Sequence, residues 1–202
     1  MRTKNTGAEN FIFSAPVFLC QNLKYKLRKK TIYCTIFYNR TGWFFMVKKW
    51  LSAAKTIILP LLVGLLSGLL IRNDTGLYDV LIRPPFSLPG NLFSVVWIIL
   101  FLLMGVSLYL FKQTATDNVQ KSEGKLLFFI QLFLNFLWPI FFFHFRLFFA
   151  SFLLLLLLFA FIILTTANFY RANHISGILL LPYAIYTAYA GYLNFAIWLL
   201  NM

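Results

Sequence analysis

Residues 83–110 read RPPFSLPGNLFSVVWIILFLLMGVSLYL, a proline-rich segment followed directly by a long apolar run. The prolines fix their own φ angles and hold the residues before them extended, so no helix is expected to begin before Gly90. From Gly90 onward no charged residue occurs until Lys112. A run of about 20 apolar residues is what a helix needs to cross a bilayer core about 30 Å thick. The stretch therefore predicts an extended loop that leads into a transmembrane helix.

The composition of the whole chain is typical of an integral membrane protein. Of 202 residues, 61% are hydrophobic, 20% aromatic and only 11% charged, which leaves too little polar surface for a water-soluble domain. The net charge of +13 is unevenly spread: residues 1–45 carry eight basic and one acidic residue, and residues 46–202 carry ten and four. Because basic and aromatic residues do not interleave on a folded face, this charge indicates membrane orientation, and no nucleic acid is expected as a partner.

Residues 1–45 form a basic segment whose apolar clusters are too short to span a membrane. We interpret this segment as sequence translated upstream of a native start at Met46, with a disordered or interfacial basic extension as the alternative. Two lysines and an apolar run follow Met46, as is usual at the start of an inner-membrane protein. Cys20 and Cys34 both lie in the segment, so we expect no disulfide or cysteine-based metal site in the membrane body.

Five apolar runs predict an all-α bundle of five transmembrane helices within residues 46–202. The predicted helices lie near residues 51–71, 90–111, 125–145, 147–169 and 175–200. At the helix ends, seven basic residues fall on one side (Lys48, Lys49, Lys55, Lys112, Lys121, Lys125 and Arg171) and three on the other (Arg72, Arg83 and Arg146). The positive-inside rule then places the N-terminus in the cytoplasm and the loop at residues 72–89 outside. Gly64 and Gly68, four residues apart, fit packing within one chain as well as a dimer contact.

Polar side chains inside the predicted spans carry most of the information about function, since an unpaired polar group in hydrocarbon is costly. By their spacing, one face of the third helix holds Gln131, Asn135 and Trp138, and one face of the fifth holds Tyr183, Tyr186, Ala190, Leu193 and Asn194. If both faces meet Trp97 of the second helix, they enclose an aromatic cavity suited to a flat, largely apolar ligand. The alternative is that the amides only tie helices together.

No pattern typical of conventional catalysis or metal binding stands out. His144 and His174 have no Cys, Asp or Glu at metal-ligand spacing. Serine, histidine and acidic residues likewise form no nucleophilic triad. We therefore predict no metal site.

Three ordered blocks of residues within residues 46–202 form a specific pattern. The first block holds Tyr78, Arg83, Pro84, Pro85, Phe86, Pro89, Phe93, Val96, Trp97, Met104 and Gly105; the second holds Gln131, Leu132, Leu134, Asn135, Trp138, Phe141 and Phe142; the third holds Leu180, Pro182, Tyr183, Ala190, Leu193, Asn194, Trp198 and Asn201. Together these blocks resemble the TspO/MBR family, the tryptophan-rich sensory proteins related to the mitochondrial translocator protein, or peripheral benzodiazepine receptor. The resemblance covers residues 46–202 and leaves residues 1–45 outside.

This resemblance implies a five-helix bundle, commonly a homodimer, in a bacterial cytoplasmic membrane. It implies non-covalent binding of a tetrapyrrole such as protoporphyrin IX, with a role in porphyrin sensing, transport or regulation. The ligand-binding positions that it implies are Tyr78, Pro84, Pro85, Phe86, Phe93, Trp97, Asn135, Trp138, Tyr186, Ala190 and Leu193, the loop prolines shaping a lid.

Departures from the family pattern leave two alternatives open. Some bacterial relatives degrade porphyrin in light through tryptophans at the positions of Trp97 and Tyr186, and only the first is tryptophan here. Because only one of that pair is tryptophan, we expect binding rather than catalysis. Leu77 and Asn91 also stand where the family usually has tryptophan. The other alternative is a membrane scaffold with no dedicated ligand. Because no basic residue follows Arg171, the cholesterol-recognition pattern is missing, and a tetrapyrrole is expected rather than cholesterol.

Overall fold

The computed structural model describes residues 28–202, and in that part of the chain every regular element is helical. The elements are α1 (Arg28–Leu70), α2 (Leu77–Val80), α3 (Gly90–Thr114), α4 (Asn118–Pro139), a π-helix (Ile140–His144), α5 (Phe148–Ala172), α6 (His174–Ile178) and α7 (Leu181–Leu200). The chain divides into two compact units, Met1–Leu51 and Ser52–Met202, and the bundle described below is the second. The all-α fold class predicted from the sequence is confirmed.

Four helices of the described region are long and apolar enough to cross a membrane: Met46–Leu70, Leu92–Thr114, Asn118–His144 and Phe148–Ala172. The 20 residues of α7 also suffice in length, but its four tyrosines and Asn194 lower its mean hydropathy. Its buried face packs on α5 and α3, so it takes the place of the predicted fifth helix. Large aliphatic side chains such as Leu62, Ile98 and Leu157 are exposed along the bundle, as a surface that faces lipid requires.

Helix boundaries differ from the predicted ones at both ends of the chain and at α4. The first helix begins at Arg28 rather than near residue 51, because no proline interrupts the backbone before the apolar run. The predicted start at residue 125 is likewise too late, since Asp117 Oδ1 accepts a hydrogen bond from Val119 N at 3.1 Å and caps α4. The predicted span 175–200 is divided before α7, because Pro182 has no N–H with which to continue α6. Residues 1–27 of the predicted extension lie outside the described part.

Close approach of α1 to α3 depends on Gly105. A Cβ atom at this position would lie 2.5 Å from Cα of Ile57 and 3.0 Å from the carbonyl oxygen of Thr56. Both neighbours are backbone atoms, which cannot move aside as a flexible side chain can. Glycine therefore sets the distance between these two helices.

Gly64 and Gly68 of α1 differ in their surroundings. The space beside Gly64 is occupied by the ring of Phe101 on α3, whereas nothing lies within 4 Å of the position of a Cβ atom at Gly68. The first glycine of the predicted pair thus serves packing within the chain.

The buried face of α5 forms the back of the bundle. Its members are Ser151, Leu155, Leu158, Ile162, Thr165 and Phe169, and their spacing of three or four residues places them on one side of the helix. Helices α4, α6 and α7 all pack on α5, and α3 packs on α6 and α7. Ser107 and Ser176 join α3 to α6 by donating to each other's carbonyl oxygens at 2.7 Å. Helices α1, α3, α4 and α7 are left around a central space.

Candidate functional site

A cavity of about 930 Å³ opens among α1, the loop that follows it, α3, α4 and α7. Its wall is mainly apolar and aromatic, with polar groups from Ser67, Thr75, Ser94, Asn135 and Asn194. No charged side chain belongs to the described wall. Ligand sites usually measure about 300–1,000 Å³, so this cavity can hold a large molecule whose buried part is apolar.

Two stacked tryptophans dominate the cavity wall. The ring centroids of Trp97 on α3 and Trp138 on α4 are 5.9 Å apart, and their planes differ by 26°. Phe93, one turn before Trp97, lies 6.0 Å from Trp138 and 6.2 Å from Tyr186. The edge of Tyr186 meets Trp97 at 5.7 Å and 84°. Because these rings come from three helices, they form a continuous aromatic surface that favours another flat ring system.

The wall is extended by a local change in helix geometry after Pro139. Proline has no N–H to donate to the carbonyl of Asn135, and the backbone widens into the π-helix immediately afterwards. Phe142 and Phe143 of this π-helix are buried and line the cavity.

Hydrogen bonds behind the wall hold its polar members in place. Asn135 Nδ2 donates to the Tyr183 hydroxyl at 2.9 Å. With its amide assigned so that donors meet acceptors, Asn194 accepts from Trp138 Nε1 at 3.0 Å and donates to the Phe148 carbonyl at 2.8 Å. The hydrogen bonds of Asn194 hold the indole of Trp138 in place and link α4 to α5 and α7.

Five side chains of the described structure have buried polar atoms without a partner. They are Trp97 Nε1, the Tyr186 hydroxyl, both amide atoms of Gln131, Thr166 Oγ1 and Asn168 Oδ1. The first two belong to the aromatic surface, and each can donate a hydrogen bond. A ligand that presents an acceptor there would relieve the cost of leaving these donors unpaired.

The loop between α1 and α3 is tied down at several points. Asn201 pairs with the backbone of Ile82 in both directions: its Oδ1 accepts from Ile82 N, and its Nδ2 donates to Ile82 O, each at 3.0 Å. The Tyr189 hydroxyl donates to Phe86 O at 2.6 Å, and the Tyr78 hydroxyl donates to Leu88 O at 3.1 Å. Tyr189 of α7 and Asn201, just after α7, thus hold the loop against the bundle, while Tyr78 of α2 braces the loop internally.

The structure brings together most of the predicted ligand-binding residues. Seven of the eleven line the cavity: Tyr78, Phe93, Trp97, Asn135, Trp138, Ala190 and Leu193. Tyr186 does not line the cavity, but its ring contacts those of Phe93 and Trp97. Pro84, Pro85 and Phe86 do not line the cavity; Pro84 is buried in the loop, while Phe86 is 86% exposed at a φ of 70°. These three residues shape the loop rather than the wall.

Some residues of the site were not predicted. Phe101 lies one turn after Trp97, and Phe142 lies one turn after Trp138, so helical spacing could have identified both. The tethers from Tyr189 and Asn201 have no such signal, because each bond joins residues more than 100 positions apart.

Each of the two histidines contacts a side chain of the described structure. His144 Nδ1 lies 2.9 Å from Asp74 Oδ2, which links the π-helix to the loop after α1. His174 stacks on Tyr170 with centroids 4.5 Å apart. Within residues 28–202, no three side chains of His, Cys, Asp and Glu gather as metal ligands would.

Comparison with known proteins identifies the family to which this chain belongs. The model of the TspO/MBR family matches residues 56–199. The tryptophan-rich protein TspO of Chlorobaculum tepidum is 36% identical over 157 residues, which is 77% of this chain and 99% of that protein. TspO of Archaeoglobus fulgidus is 34% identical over 152 residues, 75% of this chain and 97% of that protein. Protein CrtK of Rhodobacter capsulatus is 33% identical over 124 residues, 61% and 78% of the two chains. The chain is therefore an integral membrane protein that belongs to the TspO/MBR family.

Proposed function

We propose that this protein binds a tetrapyrrole of the protoporphyrin IX type in the cavity and acts in porphyrin sensing, transport or regulation. The observation that carries the proposal is the stacked pair of Trp97 and Trp138, 5.9 Å apart, on the wall of a cavity of about 930 Å³. A flat macrocycle gains from stacking on such a surface, and each aromatic pair contributes roughly 0.5–1.5 kcal/mol beyond the burial of area. The bilayer itself is the other partner in this proposal, together with a second copy of the chain.

The experiment is a titration of the purified protein with protoporphyrin IX in the dark, followed by absorbance. Binding shifts the main absorption band and saturates as the cavity fills. A band that stays at the position of the free porphyrin would support the membrane scaffold without a dedicated ligand. Coproporphyrin, titrated in parallel, reports which side chains of the macrocycle the cavity accepts.

Light-dependent degradation of the bound porphyrin is the second candidate, and one observation favours it. Trp97 and Tyr186 contact each other at 5.7 Å, and Trp97 Nε1 and the Tyr186 hydroxyl are both without a partner in the described structure. The same titration separates the two candidates when it is repeated under illumination. A stable shifted band supports binding alone, whereas bleaching that requires the protein supports catalysis. Trp97→Phe and Tyr186→Phe then show whether the two aromatic residues take part.

A further inference from the structure

The cavity offers no counter-charge to an acidic ligand. All residues of its described wall are uncharged, and a buried carboxylate without a partner is strongly unfavourable. Protoporphyrin-type tetrapyrroles carry an apolar macrocycle and two carboxylate arms on the same edge. If such a ligand fills the cavity, as the proposed function requires, its carboxylates must remain at the rim.

Arg83 lies at that rim in a defined position. Its guanidinium carbon is 5.2 Å from the ring centroid of Tyr78, and Tyr78 itself lines the cavity. The tyrosine is fixed in turn, because its hydroxyl donates to Leu88 O at 3.1 Å. A cation held over an aromatic face in this way loses little freedom when it binds a further partner.

The donors of Arg83 are available for a ligand. The side chain is exposed, and the ion pair found in the described region joins His144 to Asp74 and does not involve Arg83. The planar guanidinium can present two parallel N–H groups to one carboxylate, a geometry that lysine lacks.

The other arginines at this end of the bundle are placed differently. Arg72 and Arg146 are both exposed, and among the described residues Arg83 alone is placed over a ring. We propose that Arg83 binds a carboxylate of the ligand at the cavity rim and makes the protein prefer tetrapyrroles with free carboxylates over their neutral esters. This inference rests on the proposed function and adds a residue that determines specificity.

The test compares protoporphyrin IX with its dimethyl ester, which has the same macrocycle and no charge. The full chain is titrated in a neutral detergent in the dark, as wild type, Arg83→Gln and Arg146→Gln. The last variant removes the same charge from the same end of the bundle without touching Tyr78. We expect Arg83→Gln to weaken binding of the diacid about fivefold, which corresponds to about 1 kcal/mol. Affinity for the ester should change less than about twofold, and Arg146→Gln should change neither.

Salt gives an independent readout of the same interaction. Because a rim contact is screened by ions, the preference of the wild type for the diacid should shrink as the salt concentration rises, while affinity for the ester stays constant. A preference that is insensitive to salt would contradict the ion pair.

The remaining outcomes separate this inference from the proposed function. Equal loss of both ligands in Arg83→Gln would show that the residue only shapes the loop, and equal effects of both variants would show a general surface charge; either result overturns the inference. A wild type that binds diacid and ester equally well also overturns it, and leaves the proposed function standing. A wild type that binds neither refutes both.

Discussion

Asn135 and Tyr183 form a buried hydrogen bond of 2.9 Å behind the cavity wall, and Asn135 also lines the cavity. From the sequence alone, this amide could have served the ligand or the packing of helices, and the structure gives it a partner within the bundle. A buried hydroxyl that loses its only described partner is more costly than one that is absent altogether. Removing the Tyr183 hydroxyl together with the Asn135 amide can therefore distinguish a structural role of Asn135 from a role in ligand binding.

Replacing Asn135 by Leu should lower stability chiefly through Tyr183. The free energy of unfolding is expected to fall by about 1–3 kcal/mol, since the tyrosine hydroxyl is left buried and unpaired. Adding Tyr183→Phe removes that hydroxyl and should restore part of the loss. Thermal unfolding in detergent, followed by circular dichroism, measures both variants. A double variant no more stable than the single one would show that the hydrogen bond is not the cause.

Trp97→Ala should lower affinity for protoporphyrin IX about tenfold or more, because about 1.4 kcal/mol corresponds to a factor of ten and both stacking and area are lost. The matched control is Trp198→Ala. Trp198 contacts Phe149 at 4.6 Å and is not part of the cavity wall, so its removal should lower thermal stability and leave affinity nearly unchanged. Equal losses of affinity in the two variants, in step with loss of folded protein, would remove the support for this cavity as the binding site.

At the scale of the helix, sequence patterns predicted which helices exist better than where each helix begins and ends. The start of α3 at Gly90 was predicted correctly, because the prolines before it leave no other choice. The first turns of α4 are polar, so the length of the apolar run could not show that the helix begins there. The apolar run near the C-terminus continues through Pro182, so its length could not show that two helices meet there. Spacing also predicted which residues share a helix face, and five of them line the cavity: Asn135, Trp138, Ala190, Leu193 and Asn194.

Glycine substitutions test how α1 packs on α3. Gly105→Ala should destabilise the bundle, because the added methyl group would lie 2.5 Å from the backbone of Ile57. Gly68→Ala is the control: nothing lies within 4 Å of the added atom, and alanine is favoured over glycine in a helix by roughly 1 kcal/mol. Thermal midpoints should therefore fall for the first variant and stay level or rise for the second. The reverse order would show that these two helices do not pack as described.

At the scale of the molecule, the loop depends on contacts that no local pattern encodes. Asn201 and Ile82 are 119 positions apart, and helical spacing cannot tell which helix end lies beside which loop. These contacts are therefore known only from the structure, whereas composition and charge predicted that the chain lies in a membrane and in which orientation.

The family match begins at residue 56, and the second compact unit begins at Ser52. A chain that starts at Met46 should therefore insert into the membrane and bind ligand like the full chain. Yield of membrane-inserted protein and porphyrin affinity are the two measurements, with the full chain as control. Loss of insertion on truncation would assign a structural role to residues 1–45.

The orientation of the bundle is set, in our proposal, by basic residues at the helix ends. Seven lie on the side of the N-terminus and three on the side of the loop before α3, and the excess belongs in the cytoplasm. A cysteine at Ser87 should then react with a membrane-impermeant maleimide in intact cells, once Cys20 and Cys34 have been replaced by serine. The matched control places the cysteine at Ser122, in α4 near the opposite end of the bundle, where labelling should require lysis. Labelling of Ser122→Cys in intact cells, with Ser87→Cys protected, would reverse the orientation and place the rim arginine Arg83 on the cytoplasmic side.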